Sequence, residues 1–336
     1  MLSRVADCLI WMGRHVERAE NIARLLDVNT QLMLDIPLLQ AEKLKKDWFP
    51  IVAALGDEEG FQKATKKTDS ATVTHYLTFD RKNSNSIFSC IAAARENART
   101  VREQISSEMW EELNRVYLWT LGKEARRTFD DNCYEFFQRI REFACLFYGV
   151  TDTSMPHTAG WDFIQLGIMM ERADKTSRFL DEEFHLVKGT PDQPSIYAMQ
   201  WTSVLRSCSA KQAYQQIYVA SVEREKVADM LLLSESFPRS VQFCVHEIDT
   251  VLRRISGVQP ARFSNRAEKL SGRLIAELVY SSIDDIVSVG LHQAMDDMQT
   301  KINAIGAALY DAYIYHPTPS EDDGENSNLP RHNQQQ

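Results

Sequence analysis

Glycine and proline are scarce, at 13 and 10 residues in a chain of 336. Turn-rich β architectures use more of both, so the shortage disfavours them and points to long helices. No apolar run is long enough to span a bilayer. The stretch VADCLIWMG is too short for the apolar core of a secretory signal and leads straight into an amphipathic helix, so the expected location is the cytoplasm. The six cysteines, Cys8, Cys90, Cys133, Cys145, Cys208 and Cys244, are scattered, and none form a C-x-x-C pair. They read as small core residues in a reducing compartment, not as a disulfide frame or zinc site. Positive charge is also short: the net charge is −9, which argues against nucleic acid as a partner. There is no G-x-S-x-G, no phosphate-binding glycine loop and no H-E-x-x-H. No cofactor is expected, and the isolated His157 and His246 read as structural.

What is present is helical periodicity. Val5, Leu9, Met12, Val16, Ala19, Ala23, Leu26 and Met33 step by threes and fours, which predicts one helix over 3–34, ended by Pro37. A short helix interrupted at Pro50 and another in DSATVTHYLTF follow. Ser84 or Ser86 should cap a helix that starts at Ile87 and continues to Gly122. Helices are expected over 123–148 and 161–187, with GVTDTSMPHTAG as a loop between them, and the stripe of the second includes Phe184. KGTPDQPS marks a boundary, beyond which come helices at 196–209, 211–235, 238–256 and 265–315. The last carries a seam of Met295, Met298, Ile302, Ile305 and Leu309. The expected fold is all-α, with long antiparallel helices in one or two packed bundles. An N-terminal unit spans 1–188, a C-terminal unit packed on it spans 195–316, and a disordered tail spans 317–336.

One charged line occurs twice. GRHVERAENIARLLD starts at Gly13 and GIMMERADKTSRFLD at Gly167. Gly13, Glu17, Glu20, Arg24 and Asp27 form a helical row bordering the apolar stripe, and Gly167, Glu171, Asp174, Arg178 and Asp181 form the same row on the other helix. An internal duplication is the simplest explanation, with NRAEKL as a weaker third copy. Glu20 with Arg24 and Asp174 with Arg178 suit solvated (i, i+4) pairs. A mid-helix glycine, however, costs about 0.5–1 kcal/mol relative to alanine, so its recurrence in both rows implies a close approach there. The basic row Arg95, Arg99 and Arg102 could face the acids across a bundle, or it could bind a carboxylate or phosphate. The sequence leaves both open. Four carboxylates on two helices also suggest a di-metal site, but there is no Glu-x-x-His pair and the arginines in the rows would repel a cation. No metal is expected.

These stretches, with NSIFSCIAAARENARTVREQISSEMWEELN and FPRSVQFC, resemble the alpha-E domain family, bacterial helical proteins named for Glu-Arg motifs. Ile168 departs from the Gly-Arg found at Gly13-Arg14. The resemblance implies association with a circularly permuted ATP-grasp carboxylate–amine ligase, and often with a transglutaminase-like peptidase, in making or modifying small peptide-like compounds. Glu17, Arg18, Glu171 and Arg172 match the Glu-Arg motif, and Arg95, Glu96 and Asn97 match an Arg-Glu-Asn motif. The leading expectation is a binding or scaffold partner of such a ligase, with a small peptide-like ligand. The alternatives are an enzyme acting on peptide or amino-acid conjugates through a buried Glu/Arg site, and a carboxylate metal protein. The two Glu-Arg helices are expected to pack about a pseudo-twofold axis, with both charged rows and at least one of Arg95, Arg99 and Arg102 converging on one polar site.

Overall fold

The apolar stripe of the first helix predicts a long buried element, and α1 runs unbroken from Ser3 to Asp35. The structure, a computed structural model, describes residues 3–36, 41–42, 44–181, 185–188, 192–219, 221–259 and 262–315. The expectations for Pro37, Phe184, the middle of KGTPDQPS and the tail fall outside these residues. Sixteen α-helices and no strand are found among the described residues. After α1 come α2 (Phe49–Leu55), α3 (Glu58–Ala64), α4 (Ser70–Phe79), α5 (Ile87–Thr100), α6 (Ser107–Leu121), α7 (Lys123–Asp131) and α8 (Cys133–Ser154). They continue with α9 (Ala159–Leu180), α10 (Pro194–Ser207), α11 (Lys211–Ile217), α12 (Arg224–Leu233), α13 (Val241–Ser256), α14 (Arg266–Tyr280), α15 (Ile283–Val289) and α16 (Leu291–Tyr313).

Several long predicted helices are broken by local signals. Pro50 sits in the first turn of α2, where a missing N–H costs nothing, and starts the helix instead of interrupting it. Ser86 caps α5 as expected, but α5 ends at Thr100 and a 3-10 turn follows. A new helix begins where the Ser106 side chain accepts from the Met109 N–H. Asn132, in extended conformation, separates α7 from α8. α8 then runs to Ser154, through half of the expected loop, and α9 stops at Leu180. The expected 211–235 helix is split into α11 and α12. The expected 265–315 helix divides at the Ser282–Asp285 capping box and at Gly290, whose φ is +99°.

α1 lies at the centre, packed on α9, α5, α8 and α10, while α9 carries α13 and α16 on another side. The buried apolar residues form one contiguous cluster that includes Trp48 and Trp201 and extends to Met295, Ile302 and Leu309 on α16. Both expected sequence units therefore contribute to the same core. Cys90, Cys208 and Cys244 are buried in it, whereas Cys145 is exposed. No described helix is long and apolar enough to cross a membrane.

The two Glu-Arg helices make the most intimate contact in the molecule. A Cβ on Gly13 would stand 2.5 Å from the carbonyl oxygen of Ile164, and one on Gly167 would be closer still to that of Ile10. The contacts are reciprocal. Gly13 faces Ile164 and Ile168, and Gly167 faces Ile10 and Arg14. Gly13 meets α9 beside Gly167, and one turn further on Arg18 meets Glu171 and Arg172 meets Glu17, so the pair runs parallel and is related by a local twofold. Each glycine is thus explained by backbone approach and not by a ligand. Gly167→Ala should force the helices apart and cost about 1–3 kcal/mol. By contrast, Gly149 on α8 has nothing within 4 Å of a built Cβ, so Gly149→Ala should stabilise by roughly 0.5–1 kcal/mol. Thermal melts of the two variants, expected to move in opposite directions, check the assignment.

Candidate functional site

The glycine contact brings the next turn of each helix into register. Glu17 and Glu171 lie one turn beyond the glycines, and both are wholly excluded from solvent. Each is bound by the arginine that follows the other. Arg18 donates to Glu171 through Nε at 2.6 Å and Nη2 at 2.8 Å. Arg172 donates to Glu17 through Nε at 3.1 Å and Nη2 at 2.9 Å. The Glu-Arg motif is therefore a reciprocal exchange of two-pronged ion pairs across the local twofold. Such pairs suit the planar guanidinium and carry geometric specificity.

Further groups complete each half. Glu171 accepts from Arg14 Nε at 3.1 Å, and Lys175 Nζ lies 3.8 Å away. Glu17 accepts from Tyr148 Oη at 2.6 Å and from Arg239 Nη1 at 2.9 Å. Asn21, the counterpart of Lys175, also donates to Glu17. The counterpart of Arg14 is Ile168, which cannot donate, and Arg239 fills that place from the loop before α13. Arg239 also binds Asn21 and Glu20. Asn85 accepts from Arg18, and the Pro238 carbonyl accepts from Arg172. The stretches NSIF and FPRS thus meet at the same point as the two Glu-Arg helices.

Sequence periodicity places the charged rows on the border of the core stripe, leaving solvated and partly buried readings open, and the structure places their acids inside. Glu20, Asp27, Asp174 and Asp181 are buried along with the two glutamates. The (i, i+4) pairs do form, Arg24 with Glu20 and Arg178 with Asp174, with the acid buried and the arginine at the edge of the core. The rows meet only at Glu17 and Glu171. Beyond that turn Glu20 belongs with Arg239, whereas Lys175 reaches the carbonyl of Leu55 and Arg178 packs against Gly56. The arginine row of α5 does not join them. Arg95 donates to Asn114 and stacks on Trp110 and Tyr117, Arg99 pairs with Glu96, and Arg102 donates to Ser107. Asn97 serves through its backbone, accepting from Val101 to close α5. The reason is local: α5 ends at Thr100, so Arg102 leaves the row, and the buried face of α5 is made of Ile87, Cys90, Ile91, Ala94 and Ala98, which leaves Arg95 and Arg99 off it. Glu268 of NRAEKL is also separate, folding back to accept from Ser264 and Asn265 at the start of its own helix.

Electrostatics fix the state of the exchange. Burial raises the pKa of Glu17, but the charges of Arg172 and Arg239 outweigh it and lower the value from 4.5 to about 2. Burial likewise raises that of Glu171, and Arg18, Lys175 and Arg14 hold it further below the usual carboxylate range. Tyr148 is pushed well above its ordinary value by burial and by Glu17, so it remains a donor. His15, on the neighbouring face, is lowered to about 4 by burial and by Arg18, and stays neutral. The partners of Glu17, Glu20, Glu171 and Asp174 weigh against a di-metal site there, because every one of these carboxylates carries a guanidinium or ammonium group. One group with metal-ligating chemistry lies elsewhere. His292 Nδ1 is 2.9 Å from both oxygens of Asp181, and with Asp296 the three offer ligand atoms within 4.8 Å of one another. Its only signal in sequence is the His292–Asp296 spacing of four on α16.

The fold and this centre define an all-helical protein organised around a buried Glu-Arg exchange between duplicated helices. Residues 1–314 match Alpha-E, described as a predicted alpha-helical domain with a conserved ER motif, and the chain belongs to that family. It is 24% identical over 327 residues to an uncharacterized protein of Mycobacterium bovis and to two of Mycobacterium tuberculosis. The match covers 92% of this chain but only 36% of each relative. No solved structure matches it.

Removing one carboxylate strands its cations in the core. Glu171→Gln should destabilise the fold on the order of 3–5 kcal/mol, measurable as a lower denaturation midpoint. Because both folded pKa values lie below the unfolded ones, the stabilisation from Glu17 and Glu171 is complete above pH 4.5 and is lost as pH falls towards 2. Denaturation curves between pH 7 and pH 2 should show that loss in the wild type, and a shallower slope in Glu17→Gln.

Proposed function

We propose that this chain is a non-catalytic binding or scaffold partner of a circularly permuted ATP-grasp carboxylate–amine ligase in the bacterial cytoplasm, where it holds a small peptide-like acceptor or product. The observation that carries the non-catalytic part is the complete commitment of Glu17 and Glu171. A general base needs reach to a substrate proton and a pKa near the working pH. Both glutamates are buried, doubly bridged and held far below that range, and this weighs against an enzyme acting through the Glu-Arg residues. Support for a partnered role comes from the relatives, in which the matching region is about a third of a longer chain. A module built into longer proteins suits work beside other domains. The ligase, and with it a transglutaminase-like peptidase, comes from the family resemblance.

Co-expression with a circularly permuted ATP-grasp ligase from the same organism, followed by gel filtration, tests the reading. Co-elution and a change in ligase turnover on adding this chain are expected. Separate elution at micromolar concentration with unchanged turnover would overturn it.

A further inference from the structure

A groove rich in basic side chains lies on the surface of this acidic protein. It lies between α1, α8, α10 and α11 and has a volume of about 350 Å³, within the range of small-ligand clefts. Its lining contains four cations, Arg24, Arg141, Arg206 and Lys211, and one carboxylate, Asp27. Asp27 is already engaged, accepting from Gln31 at 2.9 Å and facing Arg141 Nη1 at 3.1 Å. Arg24 is anchored on Glu20. The other two cations are less committed. Arg206 has only a 3.7 Å approach to the exposed Asp35, and Lys211 forms no ion pair with any described acid.

A second feature points the same way. Ser209, which also lines the groove, is the one described non-glycine residue with positive φ, at +56°. It closes α10, with Ser209 N bonded to the Arg206 carbonyl at 3.0 Å and Ala210 N to that of Leu205 at 2.7 Å. This helix-ending pattern normally takes glycine at the left-handed position, because an L side chain is strained there. Glycine would be the more stable choice, and serine instead brings a hydroxyl to the groove.

We propose that this groove binds a short acidic peptide-like ligand. Arg206 and Lys211 receive its carboxylates, Arg141 and Arg24 supply the surrounding positive field, and the Ser209 hydroxyl donates to the same oxygens. The anionic character follows from the groove itself, and the peptide-like character rests on the function proposed above. Guanidinium forks match planar carboxylates, and the half-exposed Tyr134 ring on the lining offers an apolar face for the ligand's stem.

Isothermal titration of the full chain alone, with Glu-Glu dipeptide, Ala-Ala dipeptide and inorganic phosphate as probes, tests this. Glu-Glu should bind and Ala-Ala should not, and binding should weaken as salt is raised. Arg206→Ala and Lys211→Ala should each weaken Glu-Glu binding about tenfold, the loss of one charge-assisted hydrogen bond. Ser209→Gly should raise Tm while weakening binding, a split that a purely structural serine would not produce. Absence of Glu-Glu binding, or binding unchanged in the Arg206 and Lys211 variants, overturns the site. Binding of phosphate alone overturns the peptide assignment. Because no ligase is present, the two proposals fail separately. Co-elution with the ligase without Glu-Glu binding removes only the groove, and Glu-Glu binding without co-elution removes only the ligase.

Discussion

The approach of two helix backbones at Gly13 and Gly167 is the constraint on which the rest of the molecule depends. With side chains at those positions, the axes would move apart and the arginine of each helix would fall short of the glutamate of the other. Two buried carboxylates would then lack partners, which a protein interior does not tolerate. Close packing and charge pairing are therefore one device. The backbone contact sets the distance, and the ion pairs set the register. A slip of one turn would set Glu17 against Ile168 or Thr176 in place of Arg172, so the exchange selects one alignment of α1 on α9 from several that the apolar stripes alone would allow.

The same device explains why the residues that look most like chemistry are not available for it. Acid–arginine clusters in a buried setting often mark active sites, and the duplicated motif suggests that reading. Here Glu171 is held by Arg14 and Arg18, and Glu17 by Arg172, Arg239 and Tyr148. The parts of the surface open to other molecules are elsewhere. They lie on the outer faces of α8, α10 and α11 and along the α14–α16 edge, where Val279, Tyr280 and Val289 stand exposed.

Much of this was legible in the sequence because it is local or repeated. The apolar stripes predict α1, α9 and the buried seam of α16, and the shared phase of the two charged rows, with their glycines, predicts that α1 and α9 meet. The long-range partners were not legible. Tyr148 and Arg239 lie 131 and 222 residues from Glu17, and nothing in the spacing of a single sequence connects them. The quoted FPRS stretch contained Arg239 without revealing its role. Helix ends were misplaced where one capping side chain outweighs periodicity, as at Ser106 and Ser282. The row Arg95, Arg99, Arg102 failed for that reason too: its geometry assumed a helix that stops at Thr100. Periodicity gives the angle of the charged rows from the core stripe but not how many neighbours cover them, which is why it leaves a solvated border and a buried site both open.

The break in the internal symmetry at Ile168 has a consequence for how the chain matures. Where α9 has Ile168 in place of a second arginine, the missing charge is supplied by Arg239, from a segment made well after both motif helices. As the polypeptide leaves the ribosome, α1 and α9 can meet before that arginine exists, with Glu17 short of its second cation. Until the loop before α13 is made, Arg172 is the one cation of that pair that Glu17 can hold, so the loop ties the second half of the chain to the first through a buried charge.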